Sequence, residues 1–138
     1  MNLKRFFYSV LAVFVAYEGL GYLINTVLLN ECYVELEQLW RKDMDHYMWV
    51  MFLSDFILIN FLVLFYSRWS KSFTIWSGLL FGLLAGVMVS TVSSINQWVI
   101  YPLSNHILVL WVLFGLIQFA ISGLILGLIY KPRKFERY

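Results

Sequence analysis

Four apolar stretches, each long enough to cross a bilayer, occupy most of this chain: residues 6–29, 47–66, about 76–101 and 106–130. A helix needs about 20 mostly apolar residues to traverse roughly 30 Å of hydrocarbon. Of the 138 residues, 62% are apolar and 13% charged, whereas soluble domains have about 45–50% apolar and about 25% charged residues. That excess is more than a core of this size can bury, so the expected solvent is lipid. The expectation is an all-α fold in one domain, 1–138, an integral membrane bundle of four transmembrane helices with no soluble domain. The same composition excludes disorder, which needs a polar, highly charged chain. Nucleic acid is not an expected partner, because the net charge of +2 comes from scattered residues and not from a basic face. The single cysteine, Cys32, excludes an intrachain disulfide framework.

The links set the orientation. Residues 30–46 are polar and acidic, 67–75 short and basic, and 102–105 a tight turn in which Pro102 stops one helix and Ser104 or Asn105 is suited to cap the next. Lys4, Arg5, Arg68, Lys71, Lys131, Arg133, Lys134 and Arg137 all fall on one side. Arg41 and Lys42 fall on the other, beside Glu31, Glu35, Glu37, Asp43 and Asp45. The excess of Lys and Arg on cytoplasmic loops then puts both termini in the cytoplasm and the long acidic loop outside. Aromatic residues cluster at the span ends: Tyr47, Trp49, Trp98 and Tyr101 at the outer interface, Tyr66, Trp69, Trp76 and Tyr130 at the inner one. Lys4 and Arg5 before an apolar run resemble the start of a signal peptide, but the run continues to Leu29 with no small-x-small site, so an uncleaved anchor is expected. In the outer loop, Glu31, Glu35 and Glu37 lie to one side and Leu36, Leu39 and Trp40 to the other, the pattern of a short amphipathic segment on the interface.

Span three carries Gly78, Gly82, Gly86, Ser90 and Ser94 at a strict spacing of four, one shallow stripe on a helix. Lipid supplies little hydrophobic drive between helices, so close backbone approach at small residues dominates their packing. Span four answers with Gly115, Ser122, Gly123 and Gly127. The stripe either seats span four or span one within the monomer or faces another subunit. No internal repeat is evident, which disfavours an inverted-repeat transporter built in one chain.

Polar groups inside the spans are the candidate functional residues. Glu18 lies near the middle of span one and Asp55 near the middle of span two, with no Lys or Arg in either span to neutralise them. An ionisable group at this depth costs about 2.5–3.5 kcal/mol on insertion scales. Tyr22 and Asn25 share the Glu18 face at i+4 and i+7; Ser54 flanks Asp55, and Asn60 follows on the same helix. In one reading Glu18 and Asp55 share a proton, bind a cation or hold a polar ligand group. In the other, each neutral carboxyl hydrogen-bonds a neighbouring helix through Asn25, Asn60, Gln118, Ser93 or Ser94. His46 and His106, near Asp43, Asp45 and Cys32, are weak metal candidates, since no HExxH or CxxC spacing accompanies them. No GxGxxG, phosphate loop, nucleophile elbow or haem-attachment motif occurs, so neither a cofactor nor catalytic residues are expected.

Several short motifs (Leu39-Trp40-Arg41 followed by Asp43-Met44 and Met48-Trp49, the span-three glycines, Tyr101-Pro102 and the ending from Gly123 through Gly127 to Lys131-Pro132) resemble an uncharacterised family of small four-helix bacterial membrane proteins. The resemblance covers nearly the whole chain and implies a fold and a bacterial inner membrane, with no activity, cofactor or catalytic residue. The function expected first is a non-enzymatic accessory or structural subunit of a membrane protein complex, with the bilayer and other membrane subunits as partners. The alternatives are a small proton- or ion-coupled carrier working as an oligomer, with Glu18 and Asp55 handling charge, and a lipid- or quinone-binding membrane protein.

Overall fold

The computed structural model describes residues 3–70 and 73–130. The expectations for Lys71, Lys131, Pro132, Arg133, Lys134 and Arg137 lie outside the described residues, as does that for the Trp69 side chain. The described chain is helical without strands: α1 (Leu3–Leu23), α2 (Asn30–Glu35), α3 (Met44–Trp69), α4 (Ile75–Gly86), α5 (Val92–Ile100) and α6 (Asn105–Tyr130). A π-helical turn, Ile24–Leu28, extends α1, and another, Val87–Thr91, joins α4 to α5. This makes four long helices apolar enough to cross a membrane: Leu3–Leu28, Met44–Arg68, Ile75–Ile100 and Asn105–Tyr130. Helices suit that solvent because every backbone polar group is satisfied within its own segment.

Local chemistry sets the helix ends. Thr74 and Ser77 form a reciprocal capping box, Ser77 N–H donating to Thr74 Oγ1 at 3.1 Å and Thr74 N–H to Ser77 Oγ at 2.9 Å. Ser104 Oγ accepts from Ile107 N–H at 3.4 Å at the start of α6. The π turn in the first span coincides with two side chains that take carbonyls from the preceding turn. Asn25 Nδ2 donates to Gly21 O at 2.8 Å, and Thr26 Oγ1 donates to Tyr22 O. Such back-bonding competes with the regular ladder and bends helices. Residues 30–39 form two short pieces, α2 and a 3₁₀ turn over Glu37–Leu39, separated at Leu36.

α4 and α6 run antiparallel in backbone contact. A Cβ built on Gly78 would sit 2.2 Å from Gly123 O, and one on Gly82 would sit 2.3 Å from Phe119 O. Further along, Gly86 meets the Phe119 and Leu116 side chains, and Gly115 has room only for Ser90 Oγ. Gly127 lies against Thr74 O and Ile75. The span-three stripe is therefore occupied within the chain by α6, with Ser90 and Ser94 also buried.

α1 and α3 complete the bundle. The core of Val10, Val13, Ile59, Leu62, Val63, Tyr66, Phe119, Leu126 and Tyr130 lies in the half holding the start of α1 and the ends of α3 and α6. An aromatic group closes that half: Tyr66 is edge-on to Tyr130 at 5.8 Å, Phe73 stacks on Tyr130 at 5.5 Å, and Arg5 Nε donates to Ile129 O at 2.9 Å.

Candidate functional site

The polar centre of the molecule lies where α1, α3 and α6 meet at mid-span. Glu18 is about 15 Å along its helix from Leu28, and Asp55 is at a comparable depth from Met44, at 1.5 Å per residue. The two acids lie within electrostatic reach of one another across the α1–α3 contact. Glu18 Oε1 is a buried oxygen with no hydrogen-bond partner among the described residues. Tyr17, packed edge-on against Phe119 at 5.5 Å, lies within electrostatic reach of both acids. Gln118 Nε2 donates to Tyr17 O at 2.7 Å and ties α6 to this turn of α1.

The remaining polar residues named from the sequence go elsewhere. Asn60 Nδ2 donates to Phe56 O at 2.8 Å on its own helix. Asn25 Oδ1 accepts from Tyr33 Oη at 2.6 Å, and Tyr33 Oη accepts from Trp111 Nε1 at 2.9 Å. This chain of bonds fastens α2 to both α1 and α6. Burial pushes the Tyr33 phenol pKa up, against the smaller pull of the Trp111 N–H in the opposite direction. Tyr22 is exposed and offers its backbone carbonyl to Thr26. The carboxamides expected to hold the two acids thus go to backbone carbonyls and to Tyr33, because a neighbouring carbonyl on the same or facing helix is the nearer acceptor. His46 stacks edge-on with Tyr47 at 5.3 Å, and His106 is exposed in the first turn of α6. Among the described residues no three His, Cys, Asp or Glu side chains are grouped to hold a metal.

Asp55 also marks a boundary on α3. On its C-terminal side Ile59, Leu62, Val63 and Tyr66 are buried. On its N-terminal side every residue from 44 to 54 is exposed. The helical face that buries Ile59, Leu62 and Tyr66 continues upward, in steps of four and three, through Asp55 to Met51, Met48 and Met44. These three methionines are 57%, 37% and 42% exposed. α1 does not cover them, because beyond Tyr17 it stays with α6 through Gln118, and Ile24 and Leu29 are buried. Reading the sequence by charge and small residues missed this face. The signal was the 4–3–4 spacing of Met44, Met48, Met51 and Asp55.

No family model matches the sequence, and comparison with curated proteins and with solved structures returns no match.

Proposed function

We propose that the protein is a non-enzymatic accessory subunit of a membrane protein complex. The observation that carries this reading is the exposed face of Met44, Met48 and Met51, which prolongs the buried seam of α3 with no described element of the chain packed over it. Methionine is flexible and polarisable, suited to a surface that packs against another protein. The proposed setting is a bacterial inner membrane with both termini cytoplasmic, supported by the eight basic residues on one side of the spans. In that orientation residues 30–43 face outward. Their half-buried Leu36, Leu39 and Trp40 and exposed Glu31, Glu35 and Glu37 suit a segment lying on the outer interface. Extraction from native membranes in lipid particles, followed by mass measurement, tests the reading. A particle heavier than any small multiple of the 16.3 kDa chain is expected; a lone chain in the particle contradicts it.

One observation favours a second reading, a proton- or ion-coupled carrier: Glu18 and Asp55 lie within electrostatic reach of each other at mid-span. Glu18→Gln and Asp55→Asn keep shape and most bonding but cannot ionise. Loss of a proton- or ion-dependent flux in proteoliposomes, with folding intact, would favour the carrier. The accessory reading expects both amides to be tolerated.

A further inference from the structure

We draw no further inference here: the strongest candidate, the apolar groove between α5 and α6 lined by Ile95, Leu108, Val109, Val112, Leu113 and Leu116, has only aliphatic side chains along its walls, and nothing in the structure shows what covers it.

Discussion

The α4–α6 seam and the upper half of α3 are opposite solutions to the same problem. Both are helical surfaces in an apolar solvent, where burial of apolar area gives little drive and contact must come from shape or from polar groups. The seam uses shape: Gly78, Gly82, Gly123 and Gly127 bring two backbones together until no Cβ fits. The upper half of α3 exposes Met44, Met48 and Met51, with no described helix packed over them and Asp55 at its base. A surface closed by missing side chains is complete within one chain. A surface of methionines above a carboxyl is, on the accessory-subunit reading, completed by another chain.

The largest expected effect breaks the seam. Gly78→Ala puts a Cβ 2.2 Å from Gly123 O and 2.7 Å from Gly127 N, both backbone atoms that cannot swing aside. It should cost about 1–3 kcal/mol or more, read as a fall in unfolding stability in detergent or bicelles. Gly19→Ala is the matched control, since nothing lies within 4 Å of its Cβ. It should be neutral or stabilising by a few tenths of a kcal/mol. Equal losses at Gly78 and Gly19 would remove the distinction between tight and open surfaces.

The next effects fall on the bonds that hold α1 to α6 and away from the open face. Tyr33→Phe strands Trp111 Nε1 and Asn25 Oδ1 and should cost about 1–3 kcal/mol. Gln118→Leu removes the single bond to Tyr17 O and should cost about 1 kcal/mol. On the open face, Met48→Leu in the isolated chain should change stability by less than about 0.5 kcal/mol. A large loss there would mean that the face is already packed.

The smallest effect concerns the exposed Arg41–Asp43 pair at the entrance to α3, N–O 2.5 Å. Arg41 also lies over the Tyr47 ring at 3.9 Å. The hydrogen bond from Arg41 holds the Asp43 carboxyl below its ordinary 3.8. A folded-state value below the unfolded one means that the pair contributes fully above the ordinary value and loses its contribution as pH falls through the lowered one. Between pH 5 and 8, Asp43→Asn and the parent should therefore keep a constant difference in stability, narrowing only under stronger acid.

How far the sequence could be read follows the same contrast. The spans and the stripe were legible because length, hydropathy and a strict spacing of four are local properties of the chain. The antiparallel return of α6 was legible too, because the turn before it is too short for any other, whereas which helix fills the stripe, span four, span one or another subunit, was not decided by the spacing. The two π turns were not: one coincides with the Asn25 and Thr26 bonds to preceding carbonyls, and the other contains Ser90, which lies against Gly115 of α6. Glu18 and Asp55 were legible as intramembrane acids, whereas their closeness to each other depends on how α1 and α3 cross. The diversion of Asn25 to Tyr33 depends on where α2 folds back, which no periodicity reports. The Met44, Met48 and Met51 face was present as a spacing, but its openness depends on α1 staying with α6.

The central claim is that another protein's helix covers this face, and a photoreactive residue can ask that in native membranes. Placed in turn at Met44, Met48 and Met51, it should cross-link to a second protein chain. At Val50 and Leu53, on other faces of α3, and at Met88, 71% exposed on the third span, it should label lipid alone. Lipid labelling at Met48 and Met51 indistinguishable from that at Met88 would contradict the account.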